Sequence, residues 1–391
     1  MDAFVGGPGG TDALNVAHGA NSVVGGGTSN QACDDWSVIA GGYANIVSNS
    51  AGGGGEYDGF IGGGEYNTVT GSDLDSAIVG GKENTVSKGE SAIVAGEANS
   101  VAALGALIGS GNTNAINPGA GYSAIVSGLQ NTVSGEYGFI GAGLNNTVSG
   151  QGGYVAAGGY NTVSGEGAVI DGGFNSTASG IFATIPGGYV NSAGGTYSFA
   201  AGARASAAQT GTFVWSDGSD GDAILTSSRA YQFLARASGG VTFWTNAAST
   251  VGAQLAPGSG TWASASDRNL KTDVARIDDD AVLDKVAALP IERWSYKSER
   301  GVRHVGPMAQ DFYAAFGVGE DDRHITSIDE DGVALAAIKA LHGKIADAHA
   351  AIGALRLQNA RLTALTATQS AQIATLSAEV ASIRATMRAR R

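Results

Sequence analysis

The chain has 391 residues, a formal net charge of −13, and 63 glycines against six prolines. That much glycine without a strict every-third-residue spacing excludes collagen, and 43% hydrophobic with only 15% charged residues excludes an intrinsically disordered chain. The single cysteine, Cys33, excludes an intrachain disulfide framework and a thiolate metal cage, and the acidic balance makes nucleic acid an unsuitable partner.

The first residues, Met1-Asp2-Ala3-Phe4-Val5-Gly6-Gly7, have neither the basic nor the apolar region of a secretory signal. No apolar run reaches the roughly 18 residues of a membrane helix, so no membrane insertion is expected. Residues 1–265 hold 18 acids, 5 bases and 56 of the glycines, whereas residues 266–391 hold 17 charges of each sign. The strongest division in the chain therefore falls near 265.

Before that point the sequence repeats. Asn131-Thr132-Val133-Ser134-Gly135 recurs at Asn146 and Asn161, every 15 residues, with degenerate copies beginning at Asn45, Asn67, Asn84, Asn99, Asn114, Asn175 and Asn191 and insertions around residues 49–76. A unit this short cannot bury a face alone. It fits one coil of a β-solenoid, with two strands of about five residues and two turns, paired to the coils above and below. Glycine and asparagine mark the turns because both tolerate φ > 0. Valine, isoleucine and alanine fill a narrow interior, and roughly eleven coils at about 4.8 Å give a rod on the order of 50 Å long.

Stacked Asn and Thr side chains could form a ladder for calcium, glycan or ice. Calcium asks for a GGxGxDxUx nonapeptide, of which only fragments such as Asp171-Gly172-Gly173 are present. The plainer expectation is that each Asn hydrogen-bonds its own and neighbouring backbone. On the Asn-[Ser/Thr]-Val and Ser-Gly elements, residues 15–205 resemble the YadA-like head. The resemblance implies a trimeric, left-handed parallel β-roll, here assigned to residues 1–205. That family's signal peptide and membrane-anchoring barrel have no counterpart, which argues against a complete bacterial autotransporter.

Residues 206–265 break the period. Thr212-Phe213-Val214-Trp215-Ser216-Asp217 and Tyr231–Ala237 alternate as strands and bring aromatics, followed by Phe243 and Trp244. They are expected to form a β-rich cap or neck over the open edge of the solenoid. An aromatic patch for glycan is the alternative use.

Residues 266–337 have the composition of a small α+β domain. Asp278-Asp279-Asp280 precedes a helical pattern at Val282, Val286 and Leu289 that Pro290 stops, and Ile291–Tyr296 reads as a strand. From Ile338 apolar residues fall into 3/4 spacing through Leu341, Ile345, Ile352 and Leu355 to Met387, with polar seam positions at Asn359, Thr366 and Gln369. Residues 338–391 are thus expected to form a coiled coil about 75 Å long, suited to two or three strands. The five histidines have no zinc-ligand spacing, and His342 and His349 read as a surface pair. Neither metal nor cofactor is expected.

Ser266-Asp267-Arg268-Asn269-Leu270-Lys271 opens this part of the chain; taken alone, Ser-Asp before Leu is a turn or helix cap. Together with His304-Val305-Gly306-Pro307-Met308-Ala309-Gln310 and the terminal heptads, residues 264–345 resemble the intramolecular chaperone domain of phage tailspikes and fibres, best known from endosialidases. The resemblance implies a domain that trimerises the fibre and then cuts itself off between Ser266 and Asp267, in cis and once. Ser266 would be the nucleophile and Lys271 its base, a role that requires burial to lower a lysine pKa from about 10.4.

The function expected from these features is a homotrimeric tail-fibre or tailspike-like attachment protein in a phage virion. Its partners would be its own copies, a host cell-surface glycan or protein receptor, and other tail proteins. A bacterial surface adhesin is the alternative. A polysaccharide depolymerase would need a carboxylate pair about 5–10 Å apart, for which Glu56, Asp58 and Glu65 are the candidates.

Overall fold

Pairs of β-branched residues separated by glycine-rich turns can bury one side chain per pair only if the next turn of chain lies on top. In the computed structural model, which describes residues 3–7, 14–48, 58–70 and 75–390, the chain does this by coiling. Fifteen parallel strands form a first sheet and fourteen a second, the two alternating along the chain. Thus Phe139-Ile140 pairs with Tyr154-Val155 and that with Val169-Ile170, while Thr132-Val133 pairs with Thr147-Val148 and then Thr162-Val163. A third ladder of single bridges runs through Leu129, Leu144, Gly159, Phe174 and Tyr189.

The fold is mainly β and a parallel solenoid, as the repeats imply, but most strands are two residues long rather than five. Turns consume the rest of each coil. Tyr137, Asn145 and Tyr160 all take left-handed backbone. The glycine column explains the composition: Gly143 and Gly158 have φ of +117° and +106°, and a Cβ on either would lie about 2 Å from a carbonyl oxygen of the next coil. Ile140, Val148, Val155 and Val163 are fully buried and form one continuous interior with their equivalents above and below. Each such side chain contributes about 1.5–3 kcal/mol.

The parallel ladder does not stop at residue 205. Phe199–Ala203 pairs with Phe213–Asp217, and that strand with Phe233–Arg236, so the spacing changes to 14 and then 20 residues while the register continues. The extra residues leave the ladder as a loop. Arg204 holds Asp222 at 2.6 Å, Arg236 holds Asp220, and Asp217 accepts from the Ser238 amide and hydroxyl. With fifteen rungs the rod is about 65 Å long at about 4.8 Å per step, longer than eleven coils would make it. An antiparallel sheet of Val241–Trp244, Gly252–Leu255 and Trp262–Ser264 follows.

Residues Met1–Ser266 form one structural unit and Asp267–Arg391 a second. In the second, Asp278 caps α1 (Asp279–Ala288), its carboxylate accepting from the amides of Asp280 and Ala281. Strand Glu292–Trp294 pairs antiparallel with His304–Gly306. Helix α2 (Ala309–Phe316) ends at left-handed Gly317, and α3 (Ser327–Ala389) is capped by Thr326. The long helix starts before the heptad pattern does, because Thr326 supplies a cap and its first turns pack on α1, where Lys339 meets Asp279 and Lys344 lies 3.5 Å from Asp280. Only Phe312, Ala336, Ala337 and Ala340 are buried apolar residues among those described in this unit.

Candidate functional site

The Ser266–Lys271 segment follows the strand Trp262–Ser264. Asp267 is the N-cap of a single 3-10 turn, Arg268–Leu270, and its carboxylate accepts from the Asn269 amide at 2.9 Å and side chain at 3.0 Å. The Lys271 amide closes the turn on the Arg268 carbonyl at 3.2 Å. Ser266, Asp267 and Lys271 are all solvent-exposed.

A second cluster went unread in the sequence. Trp294 stacks on His304 at 4.7 Å, with Tyr296 edge-on to Trp294 at 4.9 Å, because the antiparallel pair sets Trp294 opposite His304. The Trp294 indole nitrogen and His304 Nε2 are buried without a hydrogen-bond partner, Glu299 lying 3.6 Å from Nε2. Trp294, Tyr296, Met308 and Arg323 line an open groove of about 780 Å³. Nearby, the amide of Arg323 and then the His324 side chain hold the Asp321 carboxyl below its usual value. Two buried unpaired polar atoms cost about 1–3 kcal/mol each. A strand carrying Trp two residues before Tyr, with His ten after Trp, was the signal available.

Along the rod, the asparagine column is interior. Asn146 donates through Nδ2 to Asn131 Oδ1 at 3.0 Å, to the Ala142 carbonyl at 3.3 Å and to the Gly158 carbonyl at 3.0 Å, and its amide also bonds Asn131 Oδ1. Asn131, Asn146 and Asn161 are fully buried, which rules out an asparagine ladder offered to calcium, glycan or ice. The left-handed position is the residue before each ladder asparagine, as in Gln130, Asn145 and Tyr160. One assignment shifts accordingly: Asn175 takes the left-handed site, and Ser176 occupies the ladder with its amide on Asn161 Oδ1.

Of the depolymerase candidates, Glu56 lies outside the described residues, as do positions 49–57 and 71–74 of the insertions. Asp58 is exposed beside a strand, and Glu65 stands in the single-bridge ladder next to Lys82. Among the described residues no group of three or more His, Cys, Asp or Glu side chains could hold a metal ion, and no helix is long and apolar enough to cross a membrane.

Residues 266–318 match the Peptidase_S74 family model, described as chaperone of endosialidase. The match begins on Ser266 and extends through Lys271, α1, both strands and α2. Comparison with curated proteins finds no match.

Proposed function

We propose that the chain is a homotrimeric fibre or tailspike-like attachment protein of a phage virion, in which residues 266–337 and the helix from 338 act as an intramolecular trimerisation chaperone. One observation carries this reading: a chaperone-of-endosialidase segment follows a parallel β-solenoid and leads into a 63-residue helix whose apolar seam is uncovered in the single chain. Rods of low-complexity repeats find register slowly, since a slip of one coil costs little and their contacts are non-local. Chains already joined by the helix search that register at high effective concentration. Residues 1–205 and 206–265 then serve as shaft and neck, and a cell-surface glycan or protein is the target. The YadA-like repeats favour a bacterial surface adhesin as the second reading.

Once assembled, the trimer cuts itself between Ser266 and Asp267. The Ser266 hydroxyl, passing its proton to Lys271, attacks the Ser266 carbonyl carbon, the Asp267 amine leaves, and water hydrolyses the ester. Attack within one residue would close a four-membered ring, so the hydroxyl comes from another protomer rather than in cis. Mass spectrometry of fresh protein tests this: fragments 1–266 and 267–391 are expected, with only intact chain for Ser266→Ala and a cut slowed by orders of magnitude for Lys271→Ala. A wild-type trimer that stays whole for days leaves a trimerising clamp without peptidase activity. A monomer in sedimentation equilibrium at micromolar concentration overturns the whole reading.

A further inference from the structure

We propose that one turn column of the rod, from Tyr122 to Tyr231, binds an uncharged glycan chain; the proposal rests on the attachment reading above and gives it a site. The column lies where each second-sheet strand turns into the next first-sheet strand. Its rungs stack through the backbone: the Tyr137 amide donates to the Gly121 carbonyl, Gly152 to Glu136, Gly167 to Gln151 and Phe182 to Glu166. Every rung from Tyr122 to Tyr231 is left-handed, with φ between 54° and 64°. Glycine adopts that conformation freely, and Gly152, Gly167 and Gly211 do so here. The other rungs are Tyr122, Tyr137, Phe182, Tyr197 and Tyr231, bulky residues for which a positive φ is costly. Burial returns little for that strain, since Tyr137 is 54% exposed, Phe182 51% and Tyr231 80%. Nor does the backbone demand aromatics, because Ala98, Thr113, Gln130 and Asn145 hold the same conformation at the opposite turn.

The rings form paired platforms. Tyr122 covers Gly105 and Phe182 covers Gly167, where a Cβ would lie 2.7 Å and 2.6 Å from the ring. Tyr137 then stacks on Tyr122 at 5.9 Å, and Tyr197 on Phe182 at 5.8 Å. Between the two pairs the column is open, and a Cβ on Gly152 would meet nothing within 4 Å. Glu136, Gln151 and Glu166 occupy the adjacent column, Gln151 Nε2 donating to Glu136 Oε2 at 3.3 Å. The charge of Glu136, and then its hydrogen bond, push the Tyr137 hydroxyl above its usual pKa. This combination suits a saccharide. An aromatic face is the negative side of the ring and attracts the C–H groups of a pyranose, while carboxylates and an amide beside it bond the hydroxyls. With 18 acids against 5 bases before residue 266, the rod repels an anionic polysaccharide, so the chain that fits is uncharged. Seven steps of about 4.8 Å give the column a length of about 34 Å, over which weak contacts at successive platforms add.

The experiment applies the full chain to an array of neutral and acidic glycans. Sedimentation is read first, and a monomer there defeats the trimeric reading and this proposal together. The trimer should bind uncharged glycans and none of the acidic ones. Tyr137→Gly with Phe182→Gly should weaken that binding about tenfold or more. The same variant should stay trimeric and melt no lower than wild type, because glycine relieves the left-handed backbone, whereas rings with a merely structural role would lower the melting temperature. Tyr137→Ala with Phe182→Ala replaces it if the glycine variant fails to fold. Unchanged binding by the variant, or binding of acidic glycans alone, overturns the site and leaves the attachment reading standing. A trimer that binds no glycan also overturns it and leaves a protein as the target. Loss of the trimer in both variants would make the column a contact between copies and overturn the site as well.

Discussion

The two units solve burial differently. In the rod every coil contributes fully buried residues such as Ile140 and Val148, because the covering surface is the same chain one period later. In the second unit the seam has no such neighbour: Ile345 and Ile352 are 47% and 45% exposed. Side-chain hydroxyls on that helix return to its own backbone, as Thr366 does to the Leu362 carbonyl, so little besides the apolar seam is left to specify association. A repeat supplies its own covering surface within one chain, whereas the seam of the long helix has none in the single chain.

The largest effect is expected where the second unit depends on company. Ile345→Asp with Ile352→Asp places charges in the seam at several kcal/mol each, enough to abolish the trimer and collapse soluble yield. Sedimentation and expression level measure it, and an unaffected trimer would mean that the rods alone drive assembly. A smaller effect is expected inside the rod. Asn146→Ala removes three side-chain bonds to adjacent coils and leaves the buried Asn161 amide without its acceptor, costing about 2–4 kcal/mol, while cell binding is unchanged. Thermal melting beside a cell-binding assay tests both halves.

The smallest effect concerns the end of the rod. Ser238 and then Ser219 bond Asp217 and hold its carboxyl well below the usual 3.8. A folded-state pKa below the unfolded one stabilises fully above 3.8, and that stabilisation is lost as pH falls through and beneath it. Melting of the wild type should drop more steeply below pH 3.8 than that of Asp217→Asn. Parallel curves would show that this clamp does not hold the last coils.

The sequence by itself determined the solenoid. A 15-residue period with one Val or Ile on each strand leaves no other way to bury those residues, and the α1 cap at Asp278 and the 3/4 seam after Ile338 were equally legible. Local chemistry suffices for these elements because each depends on neighbours at fixed sequence distance. Tertiary structure decided the rest. Only stacking shows that Asn146 is interior, that Ser176 can stand in for an asparagine, and that Phe233 continues a ladder its 20-residue spacing conceals. The pairing of Trp294 with His304 depends likewise on a register between strands ten residues apart. Period fixes which residues must be buried, but hydrogen-bond register in three dimensions fixes what each one touches.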